Sequence, residues 1–196
     1  MDMAAGIIAS LAEQGDAGAQ LSLAKIYRQG KGVSRDIVAA AKWCRLAADQ
    51  GLAKAQHNLG VMYDEGDGVG QDHGEAAKWF QMAAAQNFRP SLHNLGDMYL
   101  RGLGVAEDPA KAMALFRRAA DQGSSRSQFC LGSMYDEGRG VEQDATEAAR
   151  WYGKAAEQGY ADAQINLGLM YQDGRGVVQD HDEAARLFRA ASDALP

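Results

Sequence analysis

One short motif in the sequence has the spacing of a catalytic nucleophile. Ser22-Leu23-Ala24-Lys25 matches S-x-x-K, the nucleophile motif of penicillin-binding serine enzymes. Those enzymes also carry S-D-N and K-T-G, and neither tripeptide occurs in this chain. Because a match of four residues is easily met by chance, we assign no catalytic residue and keep hydrolysis only as an alternative.

Two histidines are a second candidate for chemistry, because His57 and His93 stand at the same position of a regular spacing. A metal would need at least one more ligand at close range, whereas neighbouring helix axes lie about 8–10 Å apart. The other residues at this position are mostly apolar: Leu21, Phe129 and Ile165. We therefore predict that the histidines pack in a half-buried layer, and we predict no metal site and no cofactor.

Polar residues at the next position form what we call the asparagine column. Its members follow one another every 36 residues: Ser22, Asn58, Asn94, Cys130 and Asn166. A side-chain amide donates and accepts hydrogen bonds at once, which suits it to hold the backbone of an extended peptide. The alternative is that these amides bridge neighbouring helices inside the fold, and the two roles are compatible.

Charged residues cluster towards the ends of the same helices, most of them about two turns after the asparagine column and Asp97 less than one turn after it. They are Asp64, Glu65, Asp97, Arg101, Asp136 and Glu137. If this face lines a groove, its carboxylates would prefer basic or amide-rich segments of a partner. The alternative is that they are solvated helix ends, although an acidic residue at a helix C-terminus is slightly unfavourable against the helix dipole.

An ungapped period of 36 residues places all of these positions. Two glycines, a valine, an aspartate and a tyrosine each recur five times at that interval. The tyrosines are Tyr27, Tyr63, Tyr99, Tyr135 and Tyr171. Such a period indicates a repeat array, in which each unit is one supersecondary element that buries its apolar face against its neighbours.

Each repeat is predicted to contain two helices. In the second repeat, Leu59 and Tyr63 belong to an apolar stripe of helical period. Gly66 can end this first helix in the left-handed conformation. Asp72 is a suitable N-cap for the second helix, and Glu75 three residues later suggests a capping box.

A glycine beside the apolar stripe is expected to let a neighbouring helix approach closely. It is Gly60 in the second repeat, and it recurs as Gly96, Gly132 and Gly168, whereas the first repeat has Ala24. The second helices alternate alanines with aromatic residues, which allows close, interlocking packing. Replacing such a glycine by leucine should therefore overpack the helix pair.

The complete motif is A-x-x-x-L-G-x-x-Y-x-x-G-x-G-V-x-x-D-x-x-x-A-x-x-W-aromatic-x-x-A-A-x-x-G. It resembles the Sel-1-like repeat, a longer relative of the tetratricopeptide repeat, over about residues 7 to 194. Departures are Cys44 in the aromatic position, Leu115 and Leu187 in the tryptophan position, and Asn87 in the final glycine position. The resemblance implies an all-α, right-handed α/α superhelical solenoid with a scaffold or adaptor role. In related arrays, the face that carries the asparagine column lines the concave groove.

The period predicts a single solenoid over residues 1–196. It begins with a half repeat at residues 4–18, and five repeats start near residues 19, 55, 91, 127 and 163. Leu187 and Phe188 lie on the last helix, with no following repeat to cover them. Either they pack inward against their own repeat, or a further repeat or a second chain covers them, so end-to-end self-association is one expectation.

Composition excludes several classes of partner. Lys and Arg number 20 against 26 Asp and Glu, for a net charge of −6, and the chain has no run of basic residues. Because nucleic-acid binding needs lysines and arginines to neutralise phosphates, no nucleic-acid partner is expected. No apolar stretch approaches the length that spans a bilayer. Cys44 and Cys130 form neither a CxxC motif nor a disulfide framework. The start of the chain shows no signal peptide, so a cytoplasmic location is the default, or a periplasmic or secreted one if a leader has been removed.

The function predicted from these observations is a non-enzymatic scaffold that binds a partner protein or an extended peptide, basic in character, in its groove. The predicted groove residues are Asn58, Asn94, Asn166, Asp64, Glu65, Asp97, Arg101, Asp136 and Glu137. The alternatives are a structural spacer and a β-lactam-binding hydrolase. Some secreted members of the family have been linked to β-lactams, but those members carry paired cysteines in each unit, which this chain lacks.

Overall fold

The computed structural model describes residues 3–193, with side chains from residue 5 onward, and its regular structure there is helical throughout. The chain divides into two compact units, residues 1–107 (unit 1) and 108–196 (unit 2). The helices of unit 1 are α1 (Met3–Glu13), α2 (Ala17–Gln29), α3 (Ile37–Asp49), α4 (Ala53–Glu65), α5 (His73–Ala85) and α6 (Arg89–Arg101). Those of unit 2 are α7 (Pro109–Asp121), α8 (Ser125–Glu137), α9 (Ala145–Glu157), α10 (Ala161–Asp173) and α11 (His181–Asp193). Across residues 3–193, these eleven helices without a strand confirm the predicted all-α repeat fold.

The helix ends follow the residues that predicted them. The Asp72 side chain accepts a hydrogen bond from the Glu75 N–H at 2.9 Å and so caps α5. The same bond begins the other second helices at Asp36, Asp108, Asp144 and Asp180. Gly66 ends α4 with φ 75°, and the glycines at the same position end the other first helices in the same left-handed conformation.

The predicted capping box is only half formed. The backbone N–H of Asp72 donates to the carbonyl oxygen of Tyr63 at 2.9 Å, so it does not need the Glu75 carboxylate. Glu75 turns outward instead and binds Lys78, with Nζ and Oε1 2.5 Å apart. A backbone hydrogen bond from Asp72 to Tyr63, the last-turn residue of α4, therefore replaces the bond that Glu75 makes in a full capping box.

Three helix pairs are packed through a glycine that faces an aromatic ring. A Cβ added at Gly60 would lie 2.7 Å from Phe80, and one at Gly132 would lie 2.6 Å from Tyr152. Gly168 faces Phe188 at 2.6 Å in the last pair. These distances confirm that the glycines allow close approach, and they show that Phe188 packs inward. Leu187 also faces inward and belongs to the buried core of unit 2.

Buried glutamines form a ladder that the sequence reasoning did not identify. Gln56, which is 5% exposed, donates to the carbonyl oxygen of Ala48 at 3.3 Å. Its Oε1 accepts a bond of 2.9 Å from Gln86, the residue that follows α5. The pairs Gln20–Gln50 and Gln128–Gln158 repeat this bond at 2.8 Å and 2.6 Å. The ladder satisfies polar atoms that close helix packing would otherwise strand.

Gly132→Leu should lower the free energy of unfolding by about 1–3 kcal/mol or more, because the side chain would overlap the Tyr152 ring. Gly153→Ala is the matched control: Gly153 lies on α9, has nothing within 4 Å of an added Cβ, and should gain about 0.5–1 kcal/mol of helix stability. Urea unfolding followed by circular dichroism measures both changes. Equal midpoints for Gly132→Leu and wild type would contradict the packing role.

Candidate functional site

The first helices of unit 1 border a cavity that a departure from the repeat pattern creates. The cavity has a volume of about 600 Å³, and its walls come from α2, α3 and α4. In other repeats a large ring such as Phe80 or Tyr152 packs at the position that Cys44 occupies here. Ala24 takes the place of the glycine that would face that ring. The smaller Cys44 side chain therefore leaves open the space that an aromatic ring fills elsewhere.

Cys44 forms the floor of this unit 1 cavity, and its thiol is unreactive there. Cys44 is 2% exposed, and its Sγ donates to the carbonyl oxygen of Ala55 at 3.4 Å. Burial raises the pKa of the Cys44 thiol to about 12, and the nearby Arg28 guanidinium only partly opposes this shift. A neutral thiol is a poor nucleophile and a poor metal ligand, so Cys44 shapes the cavity without reacting in it.

The walls of the unit 1 cavity are basic, although the chain as a whole carries a net charge of −6. Four cationic side chains line it: Lys25, Arg28, Arg35 and Lys54. Arg28 is held by Asp67, with Nε and Oδ2 3.2 Å apart, and by Glu65 at 3.9 Å. Among residues 3–193, no carboxylate forms an ion pair with the other three cations. The cavity therefore carries a local excess of positive charge.

Asn58 of the asparagine column also lines the unit 1 cavity. It is half-buried and stands one turn after Lys54 on α4, so the two side chains share a face of the helix. Ser22, at the same position of the preceding repeat, lies on the opposite wall. Asn94 is half-buried on α6. In the first two repeats the column thus borders the unit 1 cavity.

The column has a different role in unit 2. Asn166 is hydrogen-bonded to the phenol of Tyr152, the ring that packs where Cys44 lies in unit 1. Burial raises the pKa of Tyr152 to about 12, while the hydrogen bonds from Asn166 and Ser133 act in the opposite direction. Here the amide bridges neighbouring helices, as the second interpretation of the sequence expected, whereas the peptide-binding role of the column stays a prediction.

Most of the predicted groove carboxylates have a partner inside the chain. Asp64 contacts His73 Nδ1 at 2.7 Å, and Asp97 pairs with Arg101 one turn later at 3.0 Å. Asp136 pairs with Arg175 of the loop after α10, and Glu137 accepts a hydrogen bond from Ser133 at 2.7 Å. Fewer carboxylates lack an intramolecular partner than the sequence suggested, because the same helix, the next helix and a loop each supply partners.

The candidate nucleophile and the candidate metal ligands have structural partners. Ser22 and Lys25 both border the unit 1 cavity, but the Ser22 hydroxyl donates to the carbonyl oxygen of Gly18 at 2.8 Å. A serine bound to its own helix backbone gives the hydrolase alternative no support. His57 lies between the rings of Phe80 and Phe88, and burial lowers its pKa. Within residues 3–193, no group of three or more potential ligands could hold a metal ion.

The basic character of the unit 1 cavity was missed by the sequence reasoning. In the motif, Cys44 departs from the aromatic position and Ala24 replaces the glycine of the first repeat, and together they remove a ring and the glycine that receives it. A lysine at position 25 and another at 54, on two first helices, was the remaining signal. Arg35 lies in a loop, so its approach to the cavity depends on the fold of α2 and α3.

The family model described as Sel1 repeat matches five successive segments of the chain: residues 17–52, 53–88, 89–124, 125–160 and 161–194. Proteins with these repeats generally serve as protein-interaction scaffolds. The comparison with curated proteins found no match. No helix within residues 3–193 has both the length and the apolar character needed to cross a membrane.

Solved structures share the fold. A protective antigen of uropathogenic Escherichia coli strains, described as displaying an SLR fold, is 40% identical with a TM-score of 0.93 over 95% of this chain, which spans 40% of that protein. A Sel1 repeat protein from Oxalobacter formigenes is 33% identical and has a TM-score of 0.90. The match covers 93% of this chain and 75% of that protein. An immunity protein from Pseudomonas aeruginosa shares the fold at 22% identity and a TM-score of 0.59, over 97% of this chain and 73% of its own.

The two cysteines should differ sharply in reactivity. At pH 8 a thiol of pKa about 12 is ionised on the order of once in ten thousand molecules, and Cys44 is also buried. Cys130, a half-buried member of the asparagine column, should react first. Iodoacetamide should therefore label about one thiol in the native protein and both in urea, as intact mass spectrometry will show. Native labelling of Cys44 at the rate of Cys130 would contradict the closed floor.

Proposed function

This chain belongs to the Sel1 repeat family, and we propose that it is a non-enzymatic scaffold that holds an extended, acidic segment of a partner protein in the unit 1 cavity. The observation that carries the proposal is the cluster of cations at the place where Cys44 replaces an aromatic ring. A volume of about 600 Å³ lies within the usual range of ligand-binding pockets. Lysine and arginine side chains at such a site recognise carboxylates by charge and by hydrogen bonding.

Charge supplies attraction, and the asparagine supplies a contact to the backbone. Lys25 of α2 and Lys54 of α4 both line the cavity, so a carboxylate bound inside it would be attracted by both. Asn58 can donate to a peptide carbonyl and accept from a peptide N–H, whatever the side chains of the ligand. This division of roles gives a preference for acidic residues without a strict sequence requirement.

The lining cations are exposed at their tips, so their contribution falls as salt screens it. Exposed ion pairs are worth little individually, which makes several converging cations more effective than one. The acidic surface elsewhere on the chain would repel an anionic ligand and so direct it to the basic cavity. Association with an acidic segment is therefore expected to be sensitive to salt.

Selection of a basic partner, as predicted from the acidic helix ends, is retained as a proposal for unit 2. Glu137 is bound there by a hydroxyl group and not by a cation, and Asp173 is exposed at the end of α10. In unit 1, Glu65 is already close to Arg28. An acidic segment at the unit 1 cavity and a basic segment at unit 2 are compatible, because each unit presents its own surface.

Removing one lysine should weaken an acidic ligand while the fold persists. For a fluorescein-labelled hexaglutamate peptide, we expect Lys54→Ala to raise the Kd on the order of fivefold at low salt. Lys42→Ala is the matched control, because Lys42 is an exposed lysine of α3 that does not line the cavity. Fluorescence anisotropy measures both affinities. If the two variants weaken binding equally, attraction is a property of the whole surface and the proposed cavity site is wrong.

Restoring the repeat pattern should close the cavity. The double variant Ala24→Gly with Cys44→Phe reproduces the glycine–ring contact of Gly60 and Phe80. We expect it to unfold cooperatively, to keep its helical spectrum and to lose measurable binding of the hexaglutamate peptide. Ala24→Gly alone, which adds no ring, is the control and should keep most of the affinity. Wild-type affinity in a well-folded double variant would contradict the proposal.

A further inference from the structure

A second repeated contact joins the second helix of one repeat to the first helix of the next. We call it the arginine–tyrosine ladder, and its rungs join residues 45 and 63, 81 and 99, and 117 and 135. Arg117 Nη2 donates to the Tyr135 hydroxyl at 3.0 Å, and Arg45 makes the same bond to Tyr63. Gln81 Nε2 replaces the guanidinium in the middle rung and donates to Tyr99 at 3.2 Å.

Aromatic rings also pack against the two arginines of the ladder. The guanidinium of Arg117 lies 4.8 Å from the centre of the Trp151 ring, and that of Arg45 lies 5.7 Å from the Trp79 ring. Cation–π contact and the tyrosine hydroxyl together hold each guanidinium on the surface of the array. Each of these rungs is therefore a small site built for a planar cation.

The last rung lacks its cation. Position 153 holds glycine, which has no side chain to donate to Tyr171, and Leu187 stands where the preceding rung has Trp151. Arg186 lies close enough to Tyr171 for an electrostatic interaction, but its guanidinium donates to the Glu183 carboxylate. The space left by these two smaller residues is a cavity of about 680 Å³, bordered by α9, α10 and α11 of unit 2. Gly153, Tyr171 and Leu187 all line this cavity.

Packing does not account for the glycine. Gly153 lies inside α9, where glycine costs roughly 0.5–1 kcal/mol relative to alanine, yet an added Cβ would meet nothing within 4 Å. Gly132, by contrast, faces a ring at 2.6 Å. A glycine that weakens the helix and improves no local packing is consistent with a site in which the open space receives a ligand.

The walls of the cavity favour a cation. Its two arginines are already bound on their own helices, Arg150 to Glu147 and Arg186 to Glu183. Glu157 also lines the cavity and has no ion-pair partner among residues 3–193. Gln164, a 7% exposed lining residue, holds an Oε1 that accepts no hydrogen bond there. Its ladder partner would be residue 194, which is an alanine.

We propose that the unit 2 cavity at Gly153 binds the arginine side chain of a partner polypeptide. The incoming guanidinium donates to the Tyr171 hydroxyl, as Arg117 donates to Tyr135, and its charge lies near the Glu157 carboxylate. The partner thus completes the ladder in trans. Lysine is a poorer ligand, because its compact ammonium group cannot reproduce the planar fork of the ladder arginines. This site is independent of the unit 1 cavity and of its acidic ligand.

The test is an NMR titration of the full ¹⁵N-labelled chain with Nα-acetyl-arginine-N-methylamide. We expect saturable shifts at the backbone amides of Gly153 and Tyr171, with a Kd in the millimolar range. The lysine and phenylalanine analogues should give weaker, unsaturated shifts. Saturation by the lysine analogue with equal affinity, saturation by the phenylalanine analogue alone, or no saturable shift with arginine overturns the proposal.

Three variants separate this site from non-specific attraction. Gly153→Arg supplies the side chain from within, so it should abolish the arginine-induced shifts and raise the Tm. Tyr171→Phe keeps the cavity but removes the acceptor, and it should weaken binding on the order of fivefold. Tyr99→Phe removes a tyrosine hydroxyl from unit 1 and should leave the titration unchanged. Unaltered arginine shifts in Gly153→Arg or in Tyr171→Phe would contradict the proposed site.

Discussion

The contact between a glycine and an aromatic ring determines how closely the two helices of a repeat approach. A Cβ on Gly60, Gly132 or Gly168 would lie within 2.7 Å of a ring, so the helix axes could not keep their present separation with any other residue. The alanines, the capping aspartates and the buried glutamines all depend on that separation, because it brings their partners within reach. Repetition of this contact makes the fold tolerant of change at other positions, including those that face a ligand.

Both proposed sites lie where a repeated contact is missing. Cys44 removes a ring and opens the basic cavity of unit 1, and Gly153 removes a cation and opens the cavity of unit 2. In each case the surrounding polar residues keep the helix positions that the repeat gives them. A regular array can therefore acquire a binding site by deleting one side chain, at little cost to the neighbouring repeats.

The sequence predicted the parts of this protein that local chemistry controls. Asp72, Gly66 and Gly60 each act through neighbours that the period already identifies, and their roles are confirmed. The groove residues were harder to predict, because their state depends on partners from other elements: Arg175 reaches Asp136, and Tyr152 engages Asn166. The Glu75 side chain is a similar case: the Asp72 N–H donates to the carbonyl oxygen of Tyr63, so Glu75 pairs with Lys78 instead of with that N–H. Which amides are available to a ligand followed from the packing of whole helices and not from residue type.

The claim tested most directly is that the unit 1 cavity, and not the surface in general, receives an acidic segment. An NMR titration of the ¹⁵N-labelled chain with hexaglutamate at low salt follows the side-chain amide of Asn58 together with the backbone amides of α2 and α4. The account predicts saturable shifts concentrated at Asn58, Lys25 and Lys54, with the Asn166 amide unchanged. Shifts spread evenly over the exposed lysines and arginines, with the Asn58 amide unmoved, would contradict it.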